Sequence, residues 1–252
     1  MTKHVLSAIA LAAFALAGAA VAPAQAQQTI KVGAAPAGLP CSAMDPQTKE
    51  WTGLCVEMLR AVAKDAGLQV EFVGMLNGEL IPNLTGGKVD ILASVAGKTR
   101  DRLAVIDYSL PYSSMRDAIV VPVTDTKDYK TIGDFKGMTF SEISGSSAYI
   151  DPLKAAGVNV IQSDRGPDAL AAVEDGHAAA ELNPESYLAG LLKNNAHPKL
   201  KLVDSYTPVL VSDITFQVKK GNSDLLAKVN ASLAKLKADG TMAAIVAKWP
   251  VK

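Results

Sequence analysis

From residue 29 to residue 204 the chain alternates short apolar runs with amphipathic stretches, several of them stopped by glycine, and this alternation limits the fold more than any other feature. Strands that follow one another through helices pair in parallel, and such sheets need helices on both faces. The pattern predicts strands at Thr29–Ala34, Gln69–Val73 and Val89–Val95, separated by helices at Leu54–Ala66 and Glu79–Thr85. A second set places strands at Thr139–Ile143, Val158–Gln162, Ala178–Asn183 and Lys201–Asp204. Its helices are Ser147–Ala156, Pro167–Glu174 and Pro184–Asn194. Two further apolar strands, Ala118–Val123 and Asp213–Val218, lie between and after the sets, before helices at Ser223–Ala238 and Thr241–Lys248. Two strands that leave one α/β set and return to it imply two lobes on a double-strand hinge. The expected division is 27–118 with 217–252 for a discontinuous first lobe and 119–216 for the second.

Residues 1–26 read as an export signal. A short basic start (Lys3, His4) precedes the uncharged stretch Val5–Ala22, and Ala24-Gln25-Ala26 supplies a small-x-small cleavage pattern. Cleavage after Ala26 delivers the mature chain to the periplasm. It leaves 24 basic against 25 acidic residues, a balance that argues against nucleic acid or an anionic membrane as the main partner. Cys41 and Cys55 are the only cysteines. In an oxidising compartment a disulfide is the first reading, and closing so short a loop contributes about 3 kcal/mol in the chain-entropy account. A metal pair and a catalytic thiol are the rivals; no histidine lies nearby for the first, and the second needs an activating base.

The run Val89–Tyr112, VDILASVAGKTRDRLAVIDYSLPY, holds the most suggestive chemistry. Thr99 is positioned to cap a helix whose third residue is Arg102. A guanidinium beside the unpaired N–H groups of a helix start suits a carboxylate. A solvated arginine in a surface ion pair is the ordinary alternative. Lys98 adds positive charge beside this group and favours a second acid on a ligand; a solvated turn lysine is its plain alternative. His177 and His197 stand apart in sequence, and no triad, metal set or cofactor loop is apparent, so neither metal nor cofactor is expected.

Four pieces in order then resemble the periplasmic solute-binding proteins of ABC importers, in the family that includes polar amino-acid binders. They are LIPNLTGGKVDILA (80–93), Arg102 with DYSLPY (107–112), IGDFKG (132–137) and LLAKVNASLAKLKADGTMAAIVAKW (225–249). The resemblance implies a two-lobed periplasmic-binding-protein fold of type II. Its lobes would close on a small carboxylate-bearing solute and deliver it to an inner-membrane permease, with the protein acting as a monomer and not as an enzyme. It implies that Arg102 clamps the ligand's α-carboxylate, that Ser94 and Gly97 assist it, and that Ser146 and Ser147 complete the clamp from the second lobe's Ser144-Gly145-Ser146-Ser147 turn. The family's ammonium-binding aspartate is missing: Pro184 takes its place and Ala179 stands earlier in the strand. Glu185, or Glu181, is the replacement considered, against a helix-start role for Glu185. Asn77 stands where an aromatic commonly follows the second strand, and Gly38, Leu39 and Cys41 where Tyr and Phe are frequent. Trp51 is assigned to packing in preference to the pocket. A dehydratase on the same scaffold and a sensor or accessory binder are the alternatives.

Overall fold

The computed structural model describes residues 27–193 and 197–249, so the export segment expected at 1–26 lies outside the described residues. Strand β1 (Thr29–Ala34) leads into a meander of β2 (Ala37–Gly38), β3 (Ser42–Met44) and β4 (Trp51–Thr52). Helix α1 (Leu54–Asp65), β5 (Gln69–Gly74), α2 (Leu80–Thr85), β6 (Ile91–Leu92), α3 (Arg100–Val105) and β7 (Ile106–Tyr108) complete the first run. The long β8 (Ser113–Pro122) carries the chain into β9 (Thr139–Ile143), α4 (Ser147–Ala155), β10 (Asn159–Ser163), α5 (Gly166–Glu174), β11 (Glu181–Pro184), α6 (Glu185–Leu192) and β12 (Leu200–Leu202). Strands β13 (Val211–Ile214) and β14 (Gln217–Lys219) return it, and α7 (Ser223–Ala238) and α8 (Thr241–Val246) follow.

The first lobe's sheet runs β5-β1-β6-β14-β7. Its β5-β1-β6 part is parallel, as the alternation requires, but β14 enters antiparallel between β6 and β7. In the second lobe β9 and β10 pair in parallel, and β8 gathers β11, β12 and β13 antiparallel around it. A parallel bridge from Phe140 to Ala180 and the Ser141 N–H bond to the Ala180 carbonyl join the two pieces.

Each lobe has its own core. The first packs α1, α7 and α8 on the sheet through Leu54, Met58, Leu59, Phe216, Val229 and Leu233. Helix α1 buries one full face, and each such large side chain removed from water contributes about 1.5–3 kcal/mol. Gly53 opens that helix at φ 125, where a β-carbon would collide with the Cys41 carbonyl oxygen. The second lobe centres on Phe135, Phe140, Leu153 and Leu182, with Val120, Leu170 and Leu188 on the other side of its sheet.

Strand β8 spans both cores: Met115 belongs to the first and Ile119 to the second. Its first residues pair with β13, which returns beside it, giving the two-strand connection that the strand order implied. The expected strand Asp213–Val218 is broken in two, because its first half pairs with β8 and its second with β6 and β7. The expected Val89–Val95 shortens to Ile91–Leu92. Beyond the Ala93 N–H bond to Gly33, the chain leaves the sheet to line the cleft. Cys41 and Cys55 form a disulfide with their Cα atoms 4.8 Å apart, tying the meander to the start of α1.

Candidate ligand-binding cleft

Arg102 is fixed by its own helix. The Thr99 hydroxyl accepts the Arg102 N–H at 3.3 Å, the capping geometry read from the sequence. The guanidinium donates from Nη1 to the Gly97 carbonyl at 3.0 Å, and the Tyr108 hydroxyl donates to the same oxygen at 3.2 Å. Nη2 crosses to the second lobe and donates to the Gly145 carbonyl at 2.6 Å. Burial lowers the Arg102 pKa from its ordinary value, yet a guanidinium keeps its charge in a protein. Its guanidinium partners are the carbonyls of Gly97 and Gly145; among the described residues it forms no ion pair.

A second bond closes the same seam: Asn77 donates from Nδ2 to the Ser144 carbonyl at 3.0 Å. The backbones meet closely beside it. Gly145 has φ 82, and a β-carbon there would lie 2.8 Å from the Gly78 Cα. One on Gly97 would lie 2.6 Å from the Ala148 Cβ. The Gly145 turn leads into α4, whose N-cap Ser146 makes no side-chain cap bond; the Tyr149 N–H is taken by the Ser146 carbonyl and the Ser146 N–H by the Ile143 carbonyl, which leaves the N–H groups of Ser147 and Ala148 at the helix start beside the seam.

Between the lobes lies a cavity of about 180 Å³. Five of the eight residues read from the sequence as ligand-binding line it: Asn77, Ser94, Gly97 and Arg102, with Ser146 from the opposite lobe. The Ser94 hydroxyl is also tied to Gln217, 3.3 Å away in the returning strand.

Three others stand outside the lining. Lys98 turns to Asp213, 3.2 Å away, since an exposed lysine gains more beside a carboxylate than over an apolar cleft. Glu185 is bound by Arg116 of β8 through two bonds, which directs it to the hinge side. Ser147 follows Ser146 as the first residue of α4 and is absent from the wall, although Ser146 and Ala148 are both part of it. Trp51 packs against Phe72 with ring centroids 5.7 Å apart, and His197 sits 3.0 Å from Glu174.

The wall also contains groups that the sequence reading passed over: Met115, Tyr149, Asp164, Arg165, Asn183 and Tyr187. Asp164 and Arg165 occupy the junction between β10 and α5. Ligand crevices of open α/β sheets lie outside the carboxyl ends of strands, and that rule points to this junction. Asp164 accepts the Ser144 hydroxyl at 3.0 Å.

Behind the wall two carboxyls are sealed from solvent, Glu142 on β9 and Glu181 on β11. Burial pushes Glu181 up to about 8, and burial together with the neighbouring Glu181 charge pushes Glu142 well above the usual range. Glu181 is tied to the cleft wall by Asn183, whose Nδ2 donates to its Oε1 at 2.7 Å.

Residues 30–252 match the family model described as bacterial extracellular solute-binding proteins, family 3. The L-cystine-binding protein TcyA of Bacillus subtilis is 30% identical over 205 residues, covering 81% of this chain and 75% of that protein. A protein of Haemophilus influenzae named as a probable amino-acid ABC transporter-binding protein is 27% identical over 248 residues, covering 98% and 95%. Among solved structures, the ancestral amino acid-binding protein AncCDT-1, a precursor of cyclohexadienyl dehydratase, superposes with a TM-score of 0.77. It is 26% identical, and the match covers 88% of this chain and 94% of that one.

Proposed function

Because the chain belongs to the bacterial extracellular solute-binding proteins of family 3, we propose that it captures a small carboxylate-bearing solute between its lobes and delivers it to an ABC permease. The observation that carries this reading is Arg102. It is a guanidinium on the cavity wall at the lobe seam, with no ion-pair partner of its own among the described residues. A carboxylate placed there meets a fixed fork of donors from one lobe and the opening N–H groups of α4 from the other. Ser94, Gly97, Asn77 and Ser146 shape that end of the cavity. The working division into lobes is 27–118 with 217–252, and 119–216. An extracytoplasmic, monomeric protein released by cleavage after Ala26 fits the family and the transporter role of the Haemophilus relative.

Arg102→Ala, checked for intact folding by circular dichroism, should weaken binding of the best ligand found by calorimetry about 100-fold, in line with loss of a charge-assisted bidentate contact. Unchanged affinity in that variant would remove the assignment.

The likeness to a dehydratase precursor raises a second reading, turnover of a cyclohexadienyl acid. Elimination needs an acid or base at the reacting atoms. Among the described residues Asp164 is the wall's one carboxylate, and it is exposed and bonded to Ser144, while Glu142 and Glu181 are sealed behind the wall. This supports capture over catalysis. Loss of prephenate absorbance on incubation with purified protein would reverse that preference.

A further inference from the structure

The walls of the cleft carry an uneven set of charges. Arg102 from the first lobe and Arg165 from the second line the cleft together with one carboxylate, Asp164, and neither arginine forms an ion pair among the described residues. The expected second cation, Lys98, is spent on Asp213, so the role it was read for falls to Arg165. Asn183 adds a neutral acceptor: it is 3% exposed, and with Nδ2 held by Glu181 its Oδ1 is left to serve the cavity. Two positive forks and one negative group complement a solute that carries two carboxylates and one ammonium.

Resting on the reading above, we propose that the ligand is an acidic amino acid, whose second carboxylate is taken by Arg165 and whose ammonium is taken by Asp164 with Asn183. The α-carboxylate lies at Arg102. The arrangement explains how the cleft dispenses with the family's aspartate at the position of Pro184: the acceptor has moved from the end of β11 to the end of β10. It also fits a wall without a ring stack for a cationic side chain, since Tyr149 and Tyr187 line the cavity singly.

The test is calorimetric titration of the purified protein with two matched sets: L-glutamate, L-glutamine and glutarate, then L-aspartate, L-asparagine and succinate. In at least one set the acidic amino acid should bind about tenfold or more tighter than its amide, which lacks the second charge, and than its diacid, which lacks the ammonium. Arg165→Gln should bring the acid-to-amide ratio close to one, and Arg165→Lys should restore part of it. Asp164→Asn should do the same to the ratio of amino acid to diacid. Amide or diacid binding as well as the amino acid in both sets, no binding by any of the six, or ratios untouched by these variants would overturn the proposal. Arg102→Ala separates the two levels. If it abolishes binding while the matched ligands bind equally, only the acidic specificity fails; if it leaves binding intact, the carboxylate clamp fails as well.

Discussion

Glu181 gives the residue scale its clearest test. Its carboxyl is buried and its pKa is raised to about 8, so the folded protein holds a proton there that the unfolded chain releases near 4.5. Between those values the native state binds more protons, and stability falls as pH rises. The contribution is fully present below about 4.5 and lost through about 8, an effect on the order of a few kcal/mol. Urea unfolding at pH 5 and pH 9 should therefore show a smaller loss for Glu181→Gln than for the natural protein; equal losses would place the carboxyl in a wetter site. The capped helix position of Arg102 was legible because Thr99 stands three residues before it, a spacing that fixes cap and helix register together. Arg165 was not. A single arginine between a strand and a helix carries no local pattern, and only the folding of β10 against β9 brings it to the cleft. Lys98 and Glu185 were misplaced because Asp213 and Arg116, the partners that draw them away, lie 115 and 69 positions from them in sequence.

At the scale of elements, the turn before α4 and the meander before α1 set the two walls. Gly145→Ala adds a methyl group at a left-handed φ against the Gly78 backbone, so it should keep the lobes from meeting fully. Ligand affinity should drop about tenfold while the second lobe's unfolding changes little; unaltered affinity would show that the seam need not close to bind. Removing the disulfide with Cys41→Ser and Cys55→Ser should cost about 3 kcal/mol, read as a lower urea midpoint, because the loop it closes becomes free in the unfolded chain. An unchanged midpoint would contradict that estimate. Elements whose pattern is set by their own residues were read without error: Thr29–Ala34, Thr139–Ile143 and Ser223–Ala238. The breaks between β13 and β14 and after β6 were hidden, since both follow from a change of pairing partner between the lobes.

For the whole molecule, the order of strands already implied two lobes and two connections, and the separate cores on either side of β8 agree. In the proposed role a ligand would add its own contacts to the Arg102–Gly145 and Asn77–Ser144 bonds across the seam, so that capture and lobe closure would be one event. The most direct test is a thermal-shift screen of the purified protein against small carboxylic acids, with and without an α-amine, beside their uncharged amides. A true ligand at about 100 times its dissociation constant adds about 2.7 kcal/mol, a rise of about 5–10 °C for a chain of this size. The account predicts such a rise for at least one carboxylate and none for its α-carboxamide; a rise with the amide equal to that with the acid, or none with any carboxylate, would contradict it.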